Sequence, residues 1–243
     1  MGLHCPGIAA RSKPGQFVMA RASRSDDPLL RRPLGIHAVS DRGDLALLYQ
    51  VVGPATELLS RKKKGDTIEL IGPLGNGFDL TPAATRIPVI VCGGMGVAPL
   101  AFLAQALRGK TPGAKSMPLV LVGAKTRTQL IGEQEFKKAG CEVLVATDDG
   151  TKGYYGYVTE LLRKLLAERR ELLKGSFFAC GPKPMLKELS GLAQEYALPA
   201  QVSLEEHMAC GIGACLGCVV DTVSGYQRVC KEGPVFSSSE IIW

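Results

Sequence analysis

Four of the eight cysteines in this 243-residue chain lie close to its end. They follow the spacing C-x4-C-x2-C-x11-C, as Cys210, Cys215, Cys218 and Cys230. A C-x4-C-x2-C run with one distant cysteine is the plant-type spacing of [2Fe–2S] ligands. Gly211, Gly213 and Gly217 would let the loop turn tightly and bring backbone amides close to the cluster sulfur atoms. The spacing predicts a [2Fe–2S] cluster held by these four thiolates.

Two other uses of the four cysteines stay open at this level. Four thiolates also make a tetrahedral zinc site, although structural zinc sites usually pair two short cysteine knuckles and Cys230 has no second cysteine nearby. Two disulfides are the other alternative. The first residues lack the basic and apolar regions of a secretory signal, so we expect a cytoplasmic protein, in which disulfides are rare. His207 adjoins the loop and is interpreted as a neighbour of the site, not a ligand.

The run C-G-G-M-G-V-A-P at 92–99 follows an apolar segment and suggests a strand-to-helix turn. Gly93, Gly94 and Gly96 permit close approach of a ligand, and we expect Pro99 to open the helix at its first position. Free N–H groups and the dipole at a helix start favour a pyrophosphate there. The run lacks the complete G-x-G-x-x-G of dinucleotide folds, so an ordinary turn is an equal alternative.

The run C-G-P at 180–182 ends a later apolar segment. Parallel strands end at one edge of a sheet, where ligands of α/β folds bind. Cys180, Gly181 and Pro182 are therefore candidates for the same nucleotide site, although a cysteine there is by itself most often a core residue.

Polar and glycine-rich turns in the first third of the chain offer a third group of candidates. An arginine beside a rigid proline can clamp a phosphate, and a small residue followed by threonine can present amides to one. The first property belongs to Arg32, Pro33, Leu34 and Gly35, and the second to Ala55 and Thr56. Leu48, Tyr49 and Gln50 are candidates because a planar apolar segment can face a ring. Each group taken alone is equally an ordinary turn or strand.

The elements that must position these residues fall into three parts. Residues 1–82 contain short β-like runs broken by turns, typical of an antiparallel β-barrel whose opening strand is short. Residues 83–204 alternate apolar strands with helices, which predicts a parallel-sheet α/β domain. Residues 205–243 are rich in glycine and cysteine with little helix or strand period, so a bound group rather than a core of their own should hold them together.

The periodicity predicts particular elements within the first two parts. The expected barrel strands are 15–21, 44–53 and 67–72. The expected parallel strands are 87–92, 119–122, 143–146 and 177–179. The expected helices are 100–108, 133–138, 158–173 with Thr159 as N-cap, and 184–196.

Composition excludes several classes of function. With 46% apolar and 21% charged residues the chain can bury a core. Its net charge of +6 is scattered and aromatic residues make up 6%, so no stacking platform for nucleic acid is expected. Residues 87–107 carry no charge but contain two prolines and three glycines, which favours a strand, turn and helix over a membrane span.

The chain resembles the electron-transfer subunits of class 1B dihydroorotate dehydrogenases, which belong to the ferredoxin–NADP reductase superfamily. The resemblance is carried by the R-R-P-L-G segment, the G-G-M-G-V-A-P and C-G-P runs and the cysteine tail. The resemblance implies FAD in the barrel at 32–35, 48–50 and 55–56, and NAD(H) at 93–96 and 180–182. It departs at Gly35, where the family usually has serine, and at Ala55, where it usually has glycine.

The resemblance also implies a partner and a reaction. Nicotinamide exchanges a hydride while a [2Fe–2S] cluster passes single electrons, and flavin converts between the two. The expected source of electrons is an FMN-containing catalytic subunit that oxidises dihydroorotate in pyrimidine biosynthesis, in a heterotetramer of two plus two. No residue here is predicted to oxidise dihydroorotate itself.

Two competing functions stay open. One is a sister NAD(P)H:ferredoxin or sulfide/polysulfide oxidoreductase subunit, and the other is a zinc-stapled adaptor without catalytic activity. Lys125 and Arg127 follow the second predicted parallel strand, where a 2′-phosphate would bind, and leave both NADH and NADPH possible.

Overall fold

The computed structural model describes residues 1–23, 25–108 and 117–243. The strands in these ranges are β1 (Gly2–His4), β2 (Phe17–Ala20), β3 (Arg32–Val39), β4 (Asp44–Leu47), β5 (Leu70–Leu74), β6 (Ile87–Gly93), β7 (Leu119–Ala124), β8 (Glu142–Thr147), β9 (Tyr154–Tyr155), β10 (Gly175–Cys180), β11 (Ala200–Ser203), β12 (Val219–Thr222), β13 (Gly225–Arg228) and β14 (Val235–Ser237). The α-helices are α1 (Pro6–Ala9), α2 (Pro54–Ser60), α3 (Val97–Leu107), α4 (Glu133–Lys138), α5 (Val158–Glu168) and α6 (Lys183–Glu195).

An antiparallel sheet in the order β1-β4-β3-β2-β5 forms the N-terminal half-barrel. Alternate residues of β3, Leu34 and Ile36, are buried in its core with Val18 of β2. Two expectations are corrected here. Residues 32–35 lie inside β3 rather than in a turn. The predicted strand 44–53 ends at Leu47, and residues 48–53 are irregular and lead into α2, which Pro54 begins because its fixed φ suits the first helical position.

The second sheet has the order β14-β11-β10-β6-β7-β8-β9. Its strands from β11 to β9 run parallel, as predicted for a sheet whose crossovers are helical. All four predicted parallel strands are present, each extended by one to three residues. Strand β14 adds to this sheet in the antiparallel sense, although it comes from the cysteine-rich end of the chain.

Two helix boundaries differ from the sequence prediction. Helix α3 begins at Val97, so Pro99 is its third residue and not its first. Helix α5 begins after Tyr157, whose backbone N–H donates to the Glu160 carboxylate at 2.7 Å. Thr159 is therefore not the N-cap; it is buried, and its hydroxyl donates to Glu188 at 2.6 Å. The helix ends at Glu168, and a 3₁₀ turn covers 170–174.

The cysteine-rich end forms more regular structure than its sequence predicts. Strands β12 and β13 pair as a hairpin between Cys218 and Cys230. Cys218, Val229 and Phe236 are buried in one hydrophobic cluster with Met19 of β2 and residues of the parallel sheet. This segment thus completes a core shared with both sheets. Among the described residues, no helix is long and apolar enough to cross a membrane.

Candidate functional site

A cavity of about 590 Å³ lies between the half-barrel and the parallel sheet. The structure brings three groups of predicted residues to it: 32–35 on β3, 48–50 after β4, and Cys180 at the end of β10. Ala98 and Pro99 of α3 and the segment 203–208 complete its lining. A cavity of this size with a mainly apolar lining and a few polar groups suits the ring system of a cofactor.

Gly35 lines this cavity beside helix α3. Its backbone avoids the left-handed region, and a Cβ added there would lie 3.7 Å from Cδ of Pro99, an ordinary contact. Arg32 lines the same cavity while its guanidinium donates to the carbonyl of Leu30 at 2.6 Å. Burial raises the pKa of the Tyr49 phenol, which therefore keeps its proton. These residues form the half-barrel wall of the cavity.

The predicted pair Ala55 and Thr56 is divided by the structure. The Ala55 side chain lies in the half-barrel core, whereas Thr56 reaches the cavity. The Thr56 hydroxyl accepts from the N–H groups of Val52 and Gly53 and donates to the Gly53 carbonyl at 2.9 Å. The hydroxyl is thus engaged in capping α2, as expected for threonine near a helix start.

The two glycine motifs of the parallel sheet meet as the sequence predicts. Strands β6 and β10 are neighbours with Cys92 opposite Cys180. A Cβ on Gly96 would lie 2.0 Å from the Cys180 carbonyl oxygen, so only glycine allows this contact between the two loops. Gly94 has φ +53° and open space around it. Gly94 is therefore the position at which a ligand could approach the backbone of this turn.

The remaining predicted nucleotide residues pack on one another at the same edge. A Cβ on Gly93 would lie 3.0 Å from Cδ of Pro182 and 2.8 Å from Sδ of Met185. Gly181 has φ +159° and faces the Gly93 backbone. Gly181 and Pro182 also line a second cavity of about 290 Å³, which shares lining residues with the first. The predicted residues thus occupy one sheet edge next to two cavities.

The thiols of Cys92 and Cys180 are neutral. Both side chains are buried, and desolvation raises the pKa of each well above its ordinary value. The nearby Glu205 carboxylate raises the pKa of Cys180 further. Cys180 therefore offers a small polarisable surface to the cavity and not a thiolate nucleophile.

The segment 203–208 was not predicted as part of the site. Ser203 ends β11 beside Cys180, and the chain then runs along the cavity to Met208, two residues before Cys210. Glu205 keeps solvent contact through the cavity, but the protein on its other sides desolvates the carboxyl and raises its pKa. The acidic pair at 205–206 next to the cysteine loop was the available sequence signal. Its placement depends on β11, which sequence periodicity did not predict.

The four cysteines gather in a loop that backbone amides surround. Cys218 and Cys230 are buried, Cys210 is half-buried and Cys215 is exposed. The N–H of Gly213 donates to Sγ of Cys230 at 3.1 Å, and the N–H of Cys230 donates to Sγ of Cys218 at 3.4 Å. Such donors stabilise negative charge on cluster sulfur atoms. The donor set therefore fits an iron–sulfur cluster.

The loop combines left-handed backbone positions with two thiols of shifted pKa. Gly211 and Gly213 have positive φ, which suits the predicted tight turns, whereas Gly217 does not and Leu216 takes a third left-handed position. Backbone N–H groups lower the pKa of the Cys210 thiol to about 6, whereas burial beside another cysteine raises the pKa of Cys230 to about 12. Among the described residues, no three His, Cys, Asp or Glu side chains are already arranged around a single metal ion.

One ion pair holds the two halves of this loop together. The Arg228 guanidinium donates to the carbonyl of Gly213 at 2.8 Å and to Glu232 at 3.0 Å. This pairing lowers the pKa of the Glu232 carboxyl to about 2. The loop also lies on the half-barrel, since a Cβ on Gly211 would lie 2.4 Å from Cγ of Met19 on β2. Strand β2 pairs directly with the cavity residues of β3.

Comparison with known proteins gives two matching family models. The iron-sulfur cluster binding domain of dihydroorotate dehydrogenase B matches residues 205–242. The oxidoreductase NAD-binding domain matches residues 90–190. The matched ranges contain the cysteine loop and both glycine motifs, respectively.

Two curated relatives are similar over nearly the whole chain. The dihydroorotate dehydrogenase B (NAD(+)) electron transfer subunit of Desulforamulus reducens is 42% identical over 100% of this chain and 92% of its own length. The subunit of the same name from Bacillus caldolyticus is 42% identical over 95% of this chain and 87% of its own.

Solved structures agree on the fold. A chain of the NADH-dependent reduced ferredoxin-NADP oxidoreductase has a TM-score of 0.84 and 34% identity, covering 100% of this chain and 84% of that one. A ferredoxin NADP+ reductase from Neisseria gonorrhoeae has a TM-score of 0.63 at 20% identity, over 80% of this chain and 83% of that one, and shares the fold.

The half-barrel, the nucleotide-type parallel sheet and the cysteine loop define an oxidoreductase subunit of the ferredoxin–NADP reductase type with an iron–sulfur binding domain. More narrowly, the chain belongs to the family of dihydroorotate dehydrogenase B electron transfer subunits. The family resemblance carried by the sequence motifs is thereby confirmed.

Proposed function

We propose that this chain carries electrons from an FMN-containing dihydroorotate dehydrogenase subunit, by way of a [2Fe–2S] cluster and FAD, to NAD+ in pyrimidine biosynthesis. The observation that carries this proposal is that the cysteine loop contacts β2, which pairs with the cavity strand β3. The cavity extends from β3 to Cys180 at the end of β10 in the parallel sheet. One-electron and hydride chemistry thus have adjacent places in one chain. Flavin, when bound, is the group that exchanges both single electrons and hydride.

The half-barrel wall would hold the flavin. Residues 32–35 and 48–50, with Thr56, offer an apolar surface, a guanidinium and backbone groups toward the cavity. The side chain of Ala55 would support this wall from the core. Tyr49 and the buried thiol of Cys180 would hold no charge there, which keeps the cavity favourable to an aromatic ring.

The edge at 93–96 and 180–182 would hold NAD(H). Gly94 provides the open backbone position, and the turn leads directly into α3. Exclusion of water between Pro99, Cys180 and Gly35 would favour direct transfer of a hydride over its loss to solvent.

The partner would dock at the exposed side of the cysteine loop. Ile212, Leu216 and Val219 expose apolar side chains around the exposed Cys215. Apolar surface grouped about an electron-transfer centre suits a protein interface. Two copies of this chain with two catalytic subunits form the proposed complex, and we place it in the cytoplasm, where thiolates stay reduced.

Cofactor analysis of the anaerobically purified protein tests the proposal. We expect about two irons and one FAD per chain, and bleaching of the flavin absorbance by NADH. Cys215→Ser should remove the cluster signals in the visible spectrum and in electron paramagnetic resonance while FAD stays bound, because none of the four cysteines lines the cavity. Cys5→Ser, at the half-buried start of α1, is the matched control and should keep both groups.

Two results of that analysis would contradict the proposal, and a third would show that the loop and the flavin cavity depend on each other. Zinc in place of iron would favour the adaptor. Loss of FAD together with the cluster in Cys215→Ser would mean that the loop is required to form the flavin cavity. A full cofactor set with no response to NADH would contradict the assignment of the edge at 93–96 and 180–182 to the nicotinamide nucleotide.

A sister oxidoreductase is the second candidate. The similarity to the NADH-dependent reduced ferredoxin-NADP oxidoreductase, at 34% identity over 100% of this chain, favours it specifically. The two candidates differ in the electron donor, a catalytic subunit in one case and a ferredoxin-type protein in the other.

A further inference from the structure

His37 on β3 connects the half-barrel to two helices of the parallel-sheet domain. Its Nδ1 lies 2.9 Å from the carbonyl oxygen of Ala98 in α3. Its Nε2 lies 2.8 Å from Oε2 of Glu135 in α4. The imidazole is 12% exposed, whereas the Glu135 side chain is 51% exposed. The Ala98 carbonyl can only accept, so Nδ1 donates this hydrogen bond, while Nε2 makes a close polar contact with the Glu135 carboxylate.

His37 lies on the same face of β3 as the cavity residue Gly35, so its two contacts bear on the proposed cofactor site. Leu34 and Ile36 point into the half-barrel core, so Gly35 and His37 share the opposite face of the strand. On that face Gly35 meets Pro99 and His37 meets Ala98, both in the first turn of α3. The same face of one strand therefore carries the proposed flavin position and the bond to the proposed nucleotide helix.

The bond to Ala98 acts where small displacements matter most. Ala98 follows the glycine turn 93–96 and itself lines the cavity next to Gly35. Hydride transfer requires reacting atoms about 3–3.5 Å apart, and a displacement of about 1 Å can cost roughly 100-fold in rate. A side chain that fixes α3 against β3 would therefore control the rate of hydride transfer more than the binding of either cofactor.

We infer that His37 is a positioning residue for hydride transfer between flavin and nicotinamide, acting through Ala98 and held in place by Glu135. The inference rests on the proposed function, because it assigns flavin to β3 and nicotinamide to the start of α3. The two contacts of His37 are with the backbone carbonyl of Ala98 and with the Glu135 carboxylate, and neither group is proposed to touch a cofactor. NADH binding and flavin binding should therefore be largely independent of it.

Stopped-flow reduction of the bound flavin by NADH tests this role. In His37→Ala we expect the limiting rate at saturating NADH to fall about tenfold or more, with the dissociation constant for NADH within about twofold of wild type and the FAD content unchanged. His37→Asn places an amide donor near the Nδ1 position, so it should recover most of the rate. His4→Ala removes an exposed histidine that pairs with Asp44 on the far side of the half-barrel, and should match wild type.

The Glu135→Ala variant keeps the test decisive if His37→Ala fails to fold. The Glu135 side chain is half exposed, so its removal takes away only the contact with Nε2 of His37. We expect the limiting rate of flavin reduction to be about threefold lower. Limiting rates within the error of wild type in every foldable variant would overturn the inference. Equal losses of rate, FAD and NADH affinity would also overturn it, because they would indicate a merely structural role. A wild-type protein that lacks FAD, or whose flavin NADH does not reduce, would instead contradict the proposed function.

Discussion

At the scale of single residues, the backbone conformation of Gly35 determines whether a side chain at this position would be strained or could bind the flavin. A serine at this position would be strained if the backbone had a positive φ, and would add a hydrogen-bonding group beside the flavin if it did not. The backbone is not in the left-handed region, and the nearest atom to a new Cβ would be Cδ of Pro99 at 3.7 Å. The structure therefore accommodates serine.

We expect Gly35→Ser to fold with a free energy of unfolding within about 0.5 kcal/mol of wild type. A hydroxyl hydrogen bond contributes about 1 kcal/mol net, so FAD should bind about fivefold more tightly. Thermal denaturation and flavin titration of the apoprotein measure the two quantities. Weaker FAD binding at unchanged stability would show that the new hydroxyl obstructs the flavin.

The sequence predicts best which side chains lie together where the spacing of a motif specifies the chemistry. The four cysteines and the meeting of Cys180 with the glycine turn needed only a motif and the rule that parallel strands end at one edge. The segment 203–208 could not be found in this way, because its residues reach the cavity only through β11. The separation of Ala55 from Thr56 likewise depends on which face of α2 meets the core.

At the scale of elements, the turn 228–233 and the loop 210–218 are held together by the Arg228 and Glu232 pair. The folded state lowers the pKa of the Glu232 carboxyl to about 2, below the usual value of about 4.3. A lowered pKa means that the pairing stabilises the fold fully above the usual pKa. That stability is lost as the pH falls toward 2.

We expect Glu232→Gln to lower the free energy of unfolding by about 1 kcal/mol at pH 7, since the pair is partly solvent-exposed. The difference from wild type should shrink as the pH falls below about 4.3, because protonated glutamate resembles glutamine. Denaturant unfolding at pH 7 and pH 2.5, close to the folded pKa, measures it. Glu168→Gln, whose carboxylate lies 3.9 Å from Lys164 on the surface, is the control and should show no measurable change. A difference at pH 2.5 as large as that at pH 7 would contradict the role of the charge.

Apolar runs predicted the parallel strands correctly because those strands are buried on both faces. Short strands were missed, since β9 and β14 contain two and three residues and owe their pairing to neighbours distant in sequence. Thr159 fits the pattern of an N-cap but is buried against α6, and this tertiary contact outweighs local preference.

At the scale of the whole molecule, the cysteine-rich end is part of the common core and not an appendage. Cys218, Val229 and Phe236 pack with Met19 of the half-barrel and with the parallel sheet, while β14 extends that sheet. Composition predicted that this end would lack a core of its own. It could not predict that the end would share one, because the contacts join residues about 200 positions apart in a 243-residue chain.

Electron flow from dihydroorotate to NAD+ is the central claim, and formation of NADH measures it most directly. The holoprotein is mixed anaerobically with an FMN-containing dihydroorotate dehydrogenase catalytic subunit, and absorbance at the NADH band is followed after dihydroorotate and NAD+ are added. We expect NADH to form only when both subunits are present, and Cys215→Ser in place of the wild-type chain to abolish it. NADH formation by this chain alone, or none in a complex verified by size-exclusion chromatography, would contradict the account.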